Sequence, residues 1–219
     1  MSTDKVEKIE KYDLWRPVVR PERRDTLENL HQGVGLSWSQ ALLESFGHSA
    51  TITCEASSFE PFQRLCETEQ EPAEIAAFVL ERAQAMGLLL VSRQLTRNLI
   101  DLRLGGEAQP VAQESLTLTP LEAALARDAT ASLLGHLGQS YVASGLGEPK
   151  INVHANQLQD LGVFDPEDYV IVFRYTISGA NIAGNIVVAL STTVANAIVA
   201  HSAPLRADNP NSIFRRALR

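Results

Sequence analysis

The sequence of 219 residues predicts an α/β protein with internal pseudo-twofold symmetry. Three observations lead to this prediction. Two long segments repeat apolar residues at every third or fourth position, which is the period of a helix with one buried face. Runs rich in β-branched residues follow each segment. Both halves then share one order of elements: a long helix, a strand, two more strands and a short helix. Two such units would form one continuous sheet with helices over it.

The elements of the first half follow from apolar spacing and turn residues. Leu27 and Trp38 lie on one face of a helix that Gly47 ends. Residues 74–84 stay open, because their alanines favour a helix whereas their place beside residues 87–91 suits a strand. The predicted elements are a helix at 27–46, a strand at 50–56, the open stretch at 74–84, a strand at 87–91, and a helix through Leu95, Leu99 and Leu102 that ends at Gly105 and Gly106.

The second half begins at a helix N-terminus that three residues mark. Thr119 is a cap residue, Pro120 suits the first turn, and Glu122 places an acid at the positive end of the helix dipole. A tight hairpin at residues 178–180 joins the last two strands. The predicted elements are a helix from Pro120 past Tyr141 to the glycines at 145 and 147, strands at 150–154, 169–177 and 181–190, and a short helix from Thr192 or Thr193 to Ala200.

Three regions are expected along the chain. Residues 1–24 form a charged N-terminal arm that Trp15 anchors, residues 25–203 form the folded domain, and residues 204–219 form a polar tail. Inside the domain, residues 105–115 form a polar connector between the two halves.

Composition and charge exclude several classes of protein. Nineteen Lys and Arg stand against 26 Asp and Glu, which gives a formal charge of -7 and no positive surface field for nucleic acid. The sequence shows neither an apolar leader nor a run long enough to span a membrane, so we expect a cytoplasmic protein. Cys54 and Cys66 do not form a CxxC pair and are expected to be ordinary thiols.

The sequence offers no set of residues for catalysis or metal binding. It contains no GxSxG nucleophile turn, no GxGxxG loop and no Walker loop. The histidines lack metal-ligand spacing, and each is expected at the surface or half-buried. They are His31, His48, His136, His154 and His201. We therefore predict no catalytic residue, no cofactor and no bound metal.

The glycine pair at the end of the second helix has two interpretations. One glycine, Gly105 or Gly106, would suffice to stop the helix in the left-handed conformation. A second glycine also allows another backbone to approach closely, which predicts a docking loop. The pair alone does not decide between a helix stop and a partner site.

Four separated segments resemble one family, the flagellar motor switch protein FliM, and the resemblance runs from about residue 12 to about residue 200. The first two are similar to the start of the family's middle domain, the third to its strand and its helix ending in LFGG, and the fourth to its FTPxE helix start. They are Tyr12, Asp13, Leu14, Trp15, Arg16 and Pro17; Leu27, Glu28, Asn29, Leu30 and His31; Gly87 to Val91 with Leu99, Ile100, Asp101, Leu104, Gly105 and Gly106; and Thr117 to Glu122.

The resemblance implies a three-layer α/β/α fold, which the family's middle domain shares with CheC and CheX, and a strand at residues 74–80. It also implies a subunit of the cytoplasmic ring that switches rotor direction at the flagellar basal body. The implied partners are FliG, neighbouring copies, phosphorylated CheY and FliN, with membrane contact only through the basal body. The family's N-terminal CheY-binding peptide and C-terminal SpoA domain are not expected in this sequence.

Two groups of residues are expected to bind partners. The FliG-docking loop implied by the resemblance has alanine where the family's GGxG motif ends in glycine, and it consists of Gly105, Gly106, Glu107, Ala108 and Gln109. Contact between copies is expected through the outward faces of the long helices. Those positions are Glu122, Arg127, Thr130 and Gln139 on the second long helix and Asn29 on the first long helix of the next copy.

Two alternatives stay open. A ring component of a type III secretion system belongs to the same structural class. A CheC-like phosphatase of phosphorylated CheY would orient water with a Glu and an Asn three residues apart on a long exposed helix. Glu28 is followed at that spacing by His31, and residues 128–135 carry Ser and Gly where the acid and the amide would stand. No enzyme activity is therefore expected.

Overall fold

The computed structural model describes residues 21–69, 72–83, 85–108, 118–143, 145, 147–155, 157–194 and 197. Trp15, nearly all of the predicted arm, Gln109 and the polar tail lie outside these residues. Within them the elements are α1 (Pro21–Phe46), β1 (Ala50–Cys54), β2 (Ser58–Pro61), α2 (Phe62–Thr68), β3 (Pro72–Leu80), β4 (Ala85–Ser92), α3 (Arg93–Arg103), α4 (Pro120–Ala143), β5 (Pro149–Ala155), a 3₁₀ turn (Leu158–Leu161), β6 (Tyr169–Gly179) and β7 (Ala183–Ser191).

The long helices and the strands expected from the sequence are present, although several of their bounds differ. α1 begins at Pro21, so residues 21–24 belong to this helix and not to the predicted arm. Residues 74–80 lie in strand β3, as the resemblance implied. β7 begins at Ala183 rather than at 181, because Ser178 pairs with Ala183 and the Gly179 N–H donates to the Ile182 carbonyl at 2.8 Å. The sequence did not predict β2 and α2, since elements of four and seven residues are too short to show a period.

One antiparallel sheet runs through both halves of the chain. Its strand order is β1-β6-β7-β4-β3-β5, and β2 also pairs with β6. A pseudo-twofold axis lies between β7 and β4. The first strand of each half, β1 or β5, pairs with the hairpin of the other half, so the two halves exchange strands. They consequently form a single folding unit with a continuous sheet.

The two long helices repeat one pattern of buried positions. Besides the buried Ala129 and Leu134 of α4, both α1 and α4 carry five buried side chains at intervals of four, three, four and four residues. They are Leu27, His31, Val34, Trp38 and Leu42 in α1, and Ala126, Thr130, Leu133, Leu137 and Tyr141 in α4. The pseudo-twofold symmetry therefore extends from the strand order to the helix faces.

The helix that follows each hairpin begins at an equivalent serine. The Ser92 Oγ accepts the Leu95 N–H at 3.4 Å at the start of α3, and the Ser191 Oγ accepts the Val194 N–H at 3.3 Å. The cap predicted at Thr192 or Thr193 is thus supplied by Ser191, because β7 ends there and Thr192 is already helical.

Helices cover both faces of the sheet and make three layers. α1, α3 and α4 lie on one face, where their apolar side chains pack on Phe78, Leu89 and Phe173. The short α2 and the 3₁₀ turn lie on the other face, where Phe62 and Leu158 belong to a second core. The long helices, and with them the predicted partner-binding residues, therefore lie on the same side of the sheet.

Candidate functional site

The helix α3 ends in a Schellman motif at the predicted docking loop. The Gly105 N–H donates to the Leu102 carbonyl at 3.1 Å, and the Gly106 N–H donates to the Asp101 carbonyl at 2.9 Å. Gly105 has φ 82, in the left-handed region, and a Cβ there would meet no described atom within 4 Å. Gly105 is therefore the residue that stops the helix.

The Asp101 carboxylate fixes the residues that follow Gly105. Its Oδ2 accepts the Ala108 N–H at 2.7 Å, and a Cβ at Gly106 would lie 2.6 Å from its Cγ. Asp101 of the same chain thus accounts for the glycine at position 106. The approach of a partner is not needed to explain it, which corrects the physical reason inferred from the glycine pair.

Ala108 supports the loop from inside. It has φ 51, its side chain is buried, and it packs in the core under the long helices. A non-glycine residue in the left-handed region costs about 1 kcal/mol, which the buried methyl and the hydrogen bond to Asp101 offset. The alanine in the last place of the GGxG pattern therefore keeps a backbone conformation that glycine adopts readily. It is not exposed to a partner.

The exposed part of the loop lies at one end of the helix layer. Gly105 and Glu107 are exposed, and the side chain of Leu104 is 60% exposed. Arg103 joins this end of α3 to the other two long helices. Its Nη1 lies 2.9 Å from the Asp128 Oδ2 of α4, and its guanidinium lies 5.7 Å from the ring of Phe46 in α1. The loop is thus held against packed helices.

Only some of the residues predicted to contact neighbouring copies lie on exposed helix faces. Arg127 and Asn29 are exposed on α4 and α1, as expected. Thr130 is buried, so its assignment to the outward face is wrong: it takes the place in α4 that the buried His31 takes in α1. Glu122 binds Arg97 of α3 at 2.6 Å and is engaged within the chain.

Arg127 lies near a hydrogen-bonded pair of Glu74 and His154 that the sequence did not reveal. The Glu74 Oε1 in β3 lies 2.5 Å from the His154 Nδ1 in β5, and the Glu74 side chain is only 5% exposed. Burial raises the pKa of Glu74, while the hydrogen bond to His154 and the charges of His154 and Arg127 oppose this rise. Arg127 is exposed on α4, and its charge also influences the pKa of the buried Glu74 carboxyl group.

His31 is fully buried, which corrects its expected place at the surface or half-buried. Its ring stacks on Phe173 with centroids 3.5 Å apart. Its Nδ1 lies 2.5 Å from the Tyr175 hydroxyl, and its Nε2 lies 3.3 Å from the Tyr141 hydroxyl. Burial lowers the pKa of His31 to about 3, so the ring is neutral at physiological pH. It links α1, α4 and β6.

Position 28 does not present the exposed acid that phosphatase chemistry needs. The Glu28 Oε1 accepts hydrogen bonds from the Ser57 N–H at 3.0 Å, from the Ser57 hydroxyl at 2.8 Å and from the Arg24 Nε at 2.9 Å. Burial raises its pKa, but the hydrogen bonds of Arg24 and Ser57 outweigh this and lower it. Glu28 thus ties α1 to the segment before β2.

The thiols are not activated. Burial raises the pKa of Cys54 to about 11 and raises that of Cys66 as well, so both stay protonated at neutral pH. Cys66 borders a cavity of about 780 Å³ between α2 and the 3₁₀ turn, with Phe62, Arg93 and Leu158 in its wall. This cavity lies on the sheet face opposite the docking loop.

Neither metal ligands nor a membrane span occur in the part of the chain that the structure describes. No three His, Cys, Asp or Glu side chains converge there as a metal site would require. Among the same residues, none of the helices combines the length and the apolar character that a bilayer crossing needs.

Comparison with known proteins identifies the fold. No family model and no curated relative matches the sequence. A chain of the FliG-FliM complex from Helicobacter pylori superimposes with a TM-score of 0.76 at 13% identity, covering 83% of this chain and 100% of its own. The FliM middle domain from Vibrio alginolyticus superimposes with a TM-score of 0.69 at 13% identity, and the match covers 80% of this chain and 99% of that domain. FliY from Thermotoga maritima superimposes with a TM-score of 0.68 at 16% identity, and the match covers 84% of this chain and 97% of the FliY chain. The chain has the fold of a FliM middle domain.

Proposed function

We propose that this chain is a structural and signalling subunit of the flagellar motor switch, in the cytoplasmic ring at the flagellar basal body. Its partners in this proposal are FliG, neighbouring copies, phosphorylated CheY and FliN. The observation that carries the proposal is the FliM middle-domain fold over 83% of the chain. The ordered, partly exposed loop at the end of α3, where the sequence resembles the family's GGxG motif, supports it.

The proposed FliG contact uses the exposed part of the loop, with Leu104 as its apolar residue and Glu107 as its charged one. One of the matched solved chains comes from a FliG-FliM complex, which motivates the choice of partner. Leu104→Asp places a charge where an interface would bury an apolar side chain, so binding of FliG from the same organism should weaken about ten-fold or more. Glu107→Lys should also weaken it.

Both variants leave the fold intact, because substitutions of exposed residues usually change stability by less than about 0.5 kcal/mol. Leu121→Asp is a matched control, since Leu121 is 63% exposed at the start of α4, away from Asp128 and the loop. Isothermal titration measures the affinity for FliG, and thermal melting measures the stability of the fold. FliG binding that is equal for wild type, Leu104→Asp and Leu121→Asp would exclude the loop as the FliG site.

The proposal also states that the chain is not a phosphatase. Glu28 is bound by Ser57 and Arg24, and His31 is buried, so neither is available to orient water against an aspartyl phosphate. Phosphorylated CheY should therefore lose its phosphate at the spontaneous rate when the chain is added, with a CheC protein as positive control. Acceleration that Glu28→Gln abolishes would assign the chain to the enzymes instead.

A further inference from the structure

The loop of residues 105–108, where the polar connector begins after α3, is held by one residue, Asp101. Asp101 lies in the last turn of α3, and both its backbone carbonyl and its side-chain carboxylate accept hydrogen bonds from the loop. Its carbonyl accepts the Gly106 N–H at 2.9 Å, and its Oδ2 accepts the Ala108 N–H at 2.7 Å. Asp101 therefore binds Gly106 through its backbone carbonyl and Ala108 through its side chain.

Packing makes this arrangement specific. The carboxylate fills the space that a side chain at position 106 would occupy, 2.6 Å from a Cβ placed there. Ala108 is held at φ 51 with its methyl buried in the core. Alanine does not favour this conformation on its own, so the hydrogen bond from Asp101 and the burial of the methyl must maintain it.

The consequence is a loop whose exposed residues are already ordered before any partner binds. Leu104, Gly105 and Glu107 face solvent between two fixed points, the end of α3 and the buried Ala108. Binding a partner to an ordered loop avoids the entropy cost of fixing a flexible one. Asp101 is itself half-buried and need not touch the partner.

We propose that Asp101 is a positioning residue, which presets the loop from Gly105 to Ala108 for docking of a protein partner. The inference rests on the proposed function for the identity of that partner, FliG, but not for the order of the loop. The order of the loop and its binding to FliG can therefore be measured separately.

Asp101→Ala removes the acceptor, whereas Asp101→Asn keeps a carbonyl oxygen that can accept the Ala108 N–H. The order of the loop is measured by amide hydrogen exchange at Ala108. We expect exchange about ten-fold faster or more in Asp101→Ala and close to wild type in Asp101→Asn. Asp25→Ala is the control, because Asp25 is exposed near the other end of α1, about 30 Å along the helix from Phe46.

FliG affinity of the same variants tests the docking role. Asp101→Ala should bind FliG about ten-fold more weakly, Asp101→Asn should restore most of the affinity, and Asp25→Ala should bind like wild type. Unchanged exchange at Ala108 in Asp101→Ala would overturn the inference whatever FliG does. Faster exchange with unchanged FliG affinity would overturn the docking role. Wild-type protein that does not bind FliG at all, with faster exchange in Asp101→Ala, would refute the proposed partner while leaving the loop-ordering role of Asp101 in place.

Discussion

His31 is kept neutral by complete burial between α1, α4 and β6. Its folded-state pKa of about 3 lies below the ordinary value of 6.5. Between these two pH values the unfolded chain binds a proton that the folded chain does not. Stability from this residue is therefore complete above pH 6.5 and falls as the pH decreases through this window, by up to about 1.4 kcal/mol per pH unit.

Replacing His31 should remove this part of the pH dependence. His31→Phe keeps an aromatic ring against Phe173 but cannot be protonated. Its free energy of unfolding at pH 7 should be lower, because the hydroxyls of Tyr141 and Tyr175 lose a buried partner, at about 1 to 3 kcal/mol. Between pH 7 and pH 5, however, it should lose about 2 kcal/mol less than wild type. Urea unfolding at both pH values measures the difference.

Tyr141→Phe is the control for this measurement. It removes the hydroxyl that lies 3.3 Å from the His31 Nε2 and leaves the titrating ring in place. It should lower stability at pH 7 and keep the wild-type loss between pH 7 and pH 5. Equal pH dependence in His31→Phe and wild type would mean that His31 is protonated in the folded state as readily as in the unfolded chain.

Single residues differ in how well the sequence predicts their surroundings. The exposed Arg127 and Asn29 follow from helix periodicity alone, because their neighbours along the same helix define the face. The burial of His31 depends on Tyr141 and Tyr175, which lie 110 and 144 positions away in the sequence. Asp101 is intermediate: its place five residues before Gly106 suggests a Schellman motif, but its bond to Ala108 needs the folded loop.

At the scale of elements, the start of α4 shows a capping box that local sequence specifies. The Thr119 Oγ1 accepts the Glu122 N–H at 3.3 Å, and the Glu122 Oε2 accepts the Thr119 N–H at 2.8 Å. The backbone and side-chain hydrogen bonds of Thr119 lower the pKa of Glu122. Because both partners lie within four residues, the sequence predicted this helix start correctly.

Loss of the Thr119 cap should destabilise the protein without moving the loop at Gly105. Thr119→Ala removes the acceptor for the first-turn N–H group and should lower the free energy of unfolding by about 1 kcal/mol. Ser132→Ala, at an exposed position inside α4, should leave it unchanged or raise it slightly. Urea unfolding compares the two, and an equal effect of both substitutions would contradict the capping role.

Short elements could not be predicted in the same way. β2 and α2 depend on contacts with β6 and with the apolar residues of the second core, and their own residues show no period. The local pattern also left helix and strand open at residues 74–84; the family resemblance implied a strand at 74–80, which the structure confirms as β3, flanked by β4 and β5. Local propensity favoured a helix for the alanines there, and burial between two strands overrides it.

For the whole molecule, the internal repeat could be predicted from the order of elements, but the exchange of strands could not. The order of helices and strands along the chain is the same whether each half forms its own sheet or pairs its first strand with the hairpin of the other half. The structure adopts the second arrangement, with β1 paired to β6 and β5 paired to β3. As a consequence, α1 and α4 lie side by side over one sheet and run antiparallel, with Trp38 donating to the Leu133 carbonyl at 2.8 Å.

Arg127 lies close enough to Glu74 that substitutions which change its charge should alter the stability of the fold. Arg127→Glu would add a carboxylate near the buried Glu74, whose pKa burial already raises. It should therefore lower stability more than Arg127→Gln, which removes the positive charge only. The difference should shrink on acidification, as Glu74 becomes protonated and the repulsion disappears. Urea unfolding at pH 7 and pH 4 measures this, and a difference that does not depend on pH would exclude repulsion by Glu74.

Cysteine crosslinking tests the proposed contact between copies, because Arg127 and Asn29 cannot meet within one chain. In the antiparallel pair of helices His31 lies beside Tyr141, so position 29 is about 24 Å along α4 from position 127, too far for a disulfide. A chain with Asn29→Cys and Arg127→Cys, expressed in cells with working motors, should therefore form dimers and higher multimers on oxidation. Each single variant is the control and should give fewer multimers than the double variant, because it lacks one half of the contact while Cys54 and Cys66 are present in all three chains. Monomers alone in the double variant would exclude this interface between neighbouring copies.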